Sequence, residues 1–201
     1  MIITFLLILI IGMYIKLVSV KKEEFRKLIY IGIVVNLIIY VWLYINYGMA
    51  QKFIQIAFLT IMLSLVTIID MKYNVIPNSI TAIILIFGVL FNLLNNEISS
   101  SSMLIGFFVI SLPLFFIAII LKDSMGGGDI KLMAVSGVFL GWQNIILAFL
   151  IGSLVGSLVS IILILLRKIN KNEMIPYGPF LAMGIYTSSL YGDVIIRWYI
   201  G

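Results

Sequence analysis

The sequence contains neither cysteine nor histidine. Without these residues it has no disulfide bond and none of the thiolate or imidazole ligands that structural zinc prefers. Ser–His and Cys–His catalytic sites are excluded as well, because both need an imidazole as the general base. Any hydrolytic chemistry must therefore come from Asp, Glu, Lys, Tyr, Ser or Thr side chains, and we expect neither a metal nor another cofactor.

Charged residues are also scarce: they make up 10% of the 201 residues, whereas 63% are hydrophobic. Soluble domains carry about 25% charged residues. The excess of apolar side chains cannot be hidden in a water-soluble core, so we expect lipid to surround most of the chain. The net charge of +5 comes from basic residues between apolar runs, where they set membrane topology. We therefore expect the lipid bilayer, and no nucleic acid, as the partner of these basic residues.

Apolar runs recur along the whole chain, and most are long enough to cross a bilayer as a helix of about 20 residues. They lack the alternation of barrel strands, which favours an all-α, polytopic membrane fold of about eight transmembrane helices. The runs lie near residues 2–20, 28–47, 53–70, 79–95, 103–121, 130–142, 144–166 and 179–196. The run at 130–142 is short, so its helix is tilted, shielded by neighbours, or one arm of a helical hairpin. We predict a single membrane domain over 1–201, with two N-terminal helices in 1–47 and a motif-bearing core at 53–196.

Basic residues are distributed unevenly between the two sides of this arrangement. Alternating crossings place 11 of the 13 Lys and Arg residues on one side: Lys16 at the end of the first helix, and ten further residues from the loop Lys21–Lys27 onward. By the positive-inside rule this side is cytoplasmic, which predicts a multi-pass plasma-membrane protein with its N-terminus outside. Residues 1–20 lack a basic start and a small-residue cleavage site, so we expect a retained helix there.

Asp70 differs from most of the eight acidic residues because it ends a long apolar run. An ionisable group at such a position is expensive unless it faces a polar cavity. A polar loop is predicted after it. A new helix is predicted to begin around Pro77 and Asn78, because proline favours the first turn of a helix.

Asp129 follows three consecutive glycines, residues 126–128. Glycine permits backbone conformations with positive φ and lets another segment approach closely. The aspartate is predicted to lie at the start of a helix, where the helix dipole favours an ionised carboxylate. Asp129 is therefore the second carboxylate in an unusual local setting.

By the helix count, Asp70 and Asp129 lie at the same membrane face, the cytoplasmic one. Two carboxylates that share a site separate their proton affinities, so that one is ionised while the other is protonated. The ionised group can take a proton from water as it attacks a peptide carbonyl, and the protonated group can donate to the carbonyl oxygen. The pair therefore suits an aspartyl protease, although each Asp alone also suits a helix cap at the interface.

At these residues the sequence resembles the type IV prepilin peptidases, the bacterial and archaeal branch of the GxGD aspartyl proteases. The resemblance covers roughly Phe53 to Ile196, and the order, spacing and membrane placement of the motifs all match. The motifs are Asp70-x-Lys72-x-x-x-Ile76-Pro77-Asn78, Gly126-Gly127-Gly128-Asp129-Ile130-Lys131 and, more weakly, Pro176-Tyr177-Gly178-Pro179-Phe180-Leu181-Ala182.

The resemblance implies that Asp70 and Asp129 are the catalytic pair and that Gly126 and Gly128 shape the second loop. The substrate would be a prepilin or pseudopilin of a type IV pilus or protein-secretion system. Its basic leader would be cut on the cytoplasmic side, while its apolar helix stays in the membrane. Supporting roles are implied for four further residues: Lys72, Pro77, Asn78 and Lys131.

One departure from the family concerns its second activity. Many bacterial members carry an N-terminal cytoplasmic domain with paired cysteines, which is associated with methylating the new N-terminus. This sequence has no cysteine, and its predicted first cytoplasmic loop, Lys21–Lys27, is short. We therefore expect peptidase activity alone, as in the members from tight-adherence pilus systems and the archaeal preflagellin peptidases. The third motif favours the bacterial type.

Two other functions are compatible with intramembrane carboxylates. A small transporter or channel could use Asp70 and Asp129 as ion or proton sites, but such a protein needs a carboxylate near the bilayer midplane. A presenilin or signal peptide peptidase relative would carry Tyr-Asp and Pro-Ala-Leu motifs. Here Ile69 precedes Asp70, and the sequence has no Pro-Ala-Leu.

Overall fold

The computed structural model describes residues 23–48, 50–121, 125–167 and 175–200. All regular secondary structure in these ranges is helical, which confirms the all-α prediction. The predicted first helix, 2–20, lies outside the described residues. The helices are α1 (Glu23–Tyr47), α2 (Gln51–Tyr73), α3 (Asn78–Asn95), α4 (Ser100–Val109), α5 (Ser111–Ile120), α6 (Gly127–Leu140), α7 (Trp142–Leu165) and α8 (Gly178–Ile200).

Five stretches of the described chain are long and apolar enough to cross a membrane. They are Ile29–Tyr47, Gln51–Tyr73, Asn78–Asn95, Ser100–Ile120 and Trp142–Leu165. The protein is therefore a polytopic helical membrane protein, as predicted. The eight crossings and the external N-terminus remain predictions, because α6 and α8 are not among the five and the first apolar run is not described.

Two helix boundaries differ from the predicted ones. The helix α1 already begins at Glu23, so most of the predicted loop Lys21–Lys27 is helical. The helix α2 continues three residues beyond Asp70, to Tyr73, and ends where Asn74 takes the left-handed conformation with φ 50°. The N–H of Asn74 then donates to the carbonyl oxygen of Asp70 over 2.8 Å. Asparagine tolerates this conformation, so it closes the helix one turn after the aspartate.

The run predicted as one helix at 103–121 forms two helices, α4 and α5, that meet at Ile110. Pro113 explains the interruption, because it lacks the N–H that would bond to the carbonyl oxygen of Val109. Hydrogen bonding resumes with the N–H of Leu114, which donates to Ile110 over 3.2 Å. The two halves together still make a single apolar stretch of 21 residues.

The short helix α6 lies at the centre of the bundle. Its residues 132–140 are all buried, and it packs against α3, α4, α5, α7 and α8. Gly106 and Gly137 let α4 and α6 approach so closely that a Cβ on either would overlap the other's backbone. The Asn92 side chain of α3 donates to the carbonyl oxygen of Val138 over 3.0 Å. These contacts surround the 14-residue helix with protein. Of the alternatives predicted for this short helix, the structure shows the one in which neighbouring helices shield it.

Candidate active site

Asp70 lies in the last turn of α2 and is 5% exposed. Its Oδ2 accepts a hydrogen bond of 2.8 Å from the backbone N–H of Gly178, the first residue of α8. The free N–H groups at the start of a helix favour a negative charge. A Cβ built on Gly178 would lie 2.7 Å from the same Oδ2, so only glycine allows this approach.

Asp129 lies in the first turn of α6 and is 8% exposed. It is outside the five candidate membrane spans. Burial, together with the negative charge of Asp70, raises the pKa of Asp129 to about 7, and a hydrogen bond from the Gly126 backbone opposes this rise. Because the charge of Asp70 acts on Asp129, the fold brings the two carboxyl groups within electrostatic range of each other.

The glycines before Asp129 allow close packing rather than unusual backbone angles. The expectation of positive φ is wrong for Gly126, whose φ is −68°. The expectation of close approach is confirmed, because a Cβ on Gly128 would lie 2.9 Å from the Cβ of Ile76. A Cβ on Gly126 would lie 3.1 Å from the Oδ2 of Asp129. The glycines thus let the loop after Asp70 pack onto the segment that carries Asp129.

A side-chain bond also joins the two motifs. The Lys131 Nζ donates to the Asn78 Oδ1 over 2.9 Å, at the exposed rim of the site. Pro77 immediately precedes α3, with φ −64°, which agrees with the predicted helix start. The Lys72 Nζ lies 4.7 Å from the centroid of the Tyr73 ring. Lys72 thus contacts its chain neighbour, whereas Asn78 and Lys131 link the two motifs.

Gly178 is the site residue that sequence reasoning missed. It belongs to the third motif, which pointed to a family resemblance but gave no reason to assign it a role. The sequence signal that could have identified Gly178 is the Pro-Tyr-Gly-Pro stretch, which spans the start of α8. Ile76 was missed in the same way, as the buried residue that covers Gly128.

This arrangement can perform acid–base chemistry on a bound water. Two buried carboxyl groups in different surroundings can share one proton, with one acting as the base and the other as the acid. Among the described residues, no group of three or more Asp, Glu, His or Cys is placed to hold a metal ion.

Comparison with known proteins gives one family. The model of the type IV leader peptidase family matches residues 57–161. A prepilin leader peptidase/N-methyltransferase of Aeromonas hydrophila is 40% identical over 147 residues, which are 71% of this chain and 51% of the relative. The protein of the same name from Bacillus subtilis (strain 168) is 33% identical over 156 residues, 78% of this chain and 63% of the relative. No solved structure matches the chain significantly.

The chain spans about half the length of most of these curated relatives. Both carboxyl groups and the three glycines before Asp129 lie inside the part that matches the family model. Gly178 lies beyond it. Because the matched residues 57–161 are more than half of the 201-residue chain, the protein belongs to the type IV leader peptidase family.

Proposed function

We propose that this protein is a membrane aspartyl endopeptidase that removes the basic leader from prepilin-like substrates. The observation that carries the proposal is the buried pair of carboxyl groups, Asp70 and Asp129, held at the ends of two helices. The Gly178 N–H bond of 2.8 Å to Asp70 fixes one member of the pair. Family membership supports leader cleavage as the reaction.

In the proposed mechanism the pair holds one proton, and the two groups titrate as a unit. The proton resides mainly on Asp129, because burial and the negative charge of Asp70 raise the pKa of Asp129 to about 7. The Asp70 carboxylate takes a proton from the attacking water, while Asp129 donates its proton to the peptide carbonyl oxygen. Collapse of the tetrahedral intermediate then breaks the C–N bond: Asp129 takes back a proton from a hydroxyl of the intermediate as the carbonyl re-forms, and Asp70 gives its proton to the leaving amine.

We place this site on the cytoplasmic face of the plasma membrane. The support is the distribution of basic residues, of which 11 of 13 fall on the side assigned to both aspartates. The carboxyl groups also lie near helix ends, in the last turn of α2 and the first turn of α6. A transporter would need a carboxylate near the bilayer midplane, so the placement supports the peptidase over that alternative.

We further propose that the reaction is peptide cleavage alone, on a prepilin or pseudopilin with a basic leader and an apolar helix. The relatives' names include an N-methyltransferase. The sequence contains no cysteine, the residue that the methylating members carry in pairs. Neither a metal nor another cofactor is needed for water activation between two carboxyl groups, so a chelator should leave cleavage intact.

The test uses purified protein in liposomes, a prepilin-like substrate, and the variants Asp70→Asn and Asp129→Asn. Each change removes one member of the pair, so we expect each to lower kcat by at least about a thousandfold. Asp193→Asn is the matched control. The Asp193 carboxylate lies in the second half of α8, is exposed, and accepts a hydrogen bond of 3.1 Å from the Asn144 side chain. Normal cleavage by either of the first two variants would rule out the catalytic role of the carboxyl pair.

A further inference from the structure

An apolar groove lies between α1, α2 and α8, and two of its lining residues directly follow residues of the candidate site. Its volume is about 310 Å³. On α2 its wall extends from Thr60 through Thr67 to Met71, about 16 Å of helix at 1.5 Å per residue. Met71 directly follows Asp70 in the chain. On α8 the wall begins at Pro179, the residue after Gly178, so the groove starts beside the Gly178–Asp70 hydrogen bond.

A buried cluster of side chains lies beyond the other end of the groove. Leu43 of α1, Ile56 of α2 and Leu190 of α8 form a buried cluster. This cluster lies farther from the carboxyl pair along each of the three helices than the groove residues do. The three helices therefore meet at this cluster, and the groove lies between them on the side of the cluster that carries Asp70. An occupant entering along the groove would have its near end at the carboxyl pair.

The chemistry of the groove suits an apolar helix. None of its lining side chains carries a charge. The hydroxyl groups of Thr60 and Thr67 donate to carbonyl oxygens of their own helix over 2.7 and 2.9 Å, so they need no hydrogen-bond partner from an occupant of the groove. Gly32 on α1 and Ala182 on α8 add small surfaces. Small residues let helices approach closely within a membrane, where packing rather than hydrophobicity drives association.

We propose that this groove, between α1, α2 and α8, receives the apolar helix of the substrate and thereby positions the scissile bond at Asp70 and Asp129. The inference deepens the proposed function and rests on it. The occupant is an apolar helical segment whose polar end carries the bond to be cut. One end of the groove is lined by Met71 and Pro179, the chain neighbours of Asp70 and Gly178, and the buried cluster lies beyond the other end, so the groove sets the register of that segment as well as its direction.

The first test is photo-crosslinking. A p-benzoylphenylalanine is placed at position 67 in the groove, or at position 154 on α7 as the control, where Leu154 is 62% exposed. The Asp129→Asn background keeps the substrate uncut. We expect position 67 to capture the substrate's apolar helix near the scissile bond and position 154 to capture lipid. Capture of another segment of this chain by position 67, or equal capture of substrate by both positions, would overturn the proposal.

The second test fills the groove. Ser64 lines it and donates to the carbonyl oxygen three residues before it, over 2.8 Å. Ser157 on α7 makes the same kind of bond, over 3.0 Å, on an exposed surface. The variants Ser64→Trp and Ser157→Trp are therefore a matched pair. Each is assayed on a full membrane substrate and on a short peptide that contains the scissile bond but lacks the apolar helix.

For each variant, kcat/KM for the membrane substrate is divided by kcat/KM for the peptide. We expect Ser64→Trp to lower this ratio by about tenfold or more, through a higher KM for the membrane substrate. Ser157→Trp should keep the ratio of the original protein. An unchanged ratio in Ser64→Trp would overturn the proposal that the groove receives the apolar helix of the substrate. Failure of the original protein to cut either substrate would instead contradict the proposed function. If Ser64→Trp does not fold, the crosslinking result decides.

Discussion

The N–H of Gly178 and the carboxylate of Asp70 are joined by a hydrogen bond of 2.8 Å between positions 108 residues apart in the chain. The bond links the first residue of α8 to the last turn of α2. It holds the carboxylate by a backbone group, whose position is set by the helix and not by a side-chain rotamer. The geometry of the carboxyl pair therefore depends on how these two helices pack.

Gly178→Ala should damage catalysis because the added methyl group would lie 2.7 Å from the Asp70 Oδ2. The carboxylate has to move, and we expect kcat to fall by about tenfold or more while KM changes little. Gly127→Ala is the matched control, since nothing lies within 4 Å of a Cβ at that position. Steady-state cleavage of a prepilin-like substrate measures both. Equal rates in the two variants would contradict the role given to Gly178.

Cleavage should decline at alkaline pH. The reaction needs a proton on the pair, and the raised pKa of Asp129, about 7, keeps that proton bound near neutral pH. As the pH rises through about 7 and above, the acid is lost, so kcat should fall about tenfold for each further pH unit. A pH–rate profile of the purified protein measures this. A rate that stays constant from pH 7 to 9 would contradict the assignment of Asp129 as the acid.

The same carboxyl group should make the fold less stable as the pH rises. Its pKa is about 7 in the folded protein, whereas an ordinary aspartate carboxyl group has a pKa of 3.8, so between these values the folded state binds more protons than the unfolded state. The free energy of unfolding then falls as the pH rises through this window. Asp129→Asn removes the ionisable group. We expect its gain in Tm over the original protein to be larger at pH 8 than at pH 5, as measured by thermal unfolding in detergent.

The bond between Lys131 and Asn78 should contribute little, because both side chains are exposed. A double-mutant cycle with Lys131→Met and Asn78→Ala should give a coupling free energy of about 0.5–1 kcal/mol in unfolding. Cleavage rates should change by less than about fivefold. A loss as large as that expected for Gly178→Ala would show that Lys131 or Asn78 touches the substrate.

Hydropathy was sufficient to predict the elements whose ends are set by local sequence. The helix α3 was predicted at 79–95 and is found at Asn78–Asn95, between Pro77 and Asn96, which takes φ 52°. The helix α7 was predicted at 144–166 and is found at Trp142–Leu165. The break at Ile110 could also have been predicted, because Pro113 lies in the middle of that apolar run.

The candidate site was predictable in its two carboxyl groups but not in how they are held. Charge distribution and helix count predicted that Asp70 and Asp129 lie on one membrane face, because both quantities can be read along the chain. The contact between Gly178 and Asp70 depends on the packing of α2 against α8, which no local pattern encodes. A role for the glycines before Asp129 was predicted from the sequence, but the reason given for it was incomplete. In the structure, Gly128 is needed because Ile76 packs closely against it.

Because α6 is enclosed by other helices, the depth of the site depends only indirectly on the thickness of the bilayer. Helices that face lipid must tilt or stretch when the hydrocarbon layer is thinner or thicker than they are. The residues of α6 at 132–140 are buried in protein, and the Gly106–Gly137 contact fixes their height. The depth of Asp129 is therefore set by the helices that enclose α6, and a change in bilayer thickness reaches the carboxyl group only through them.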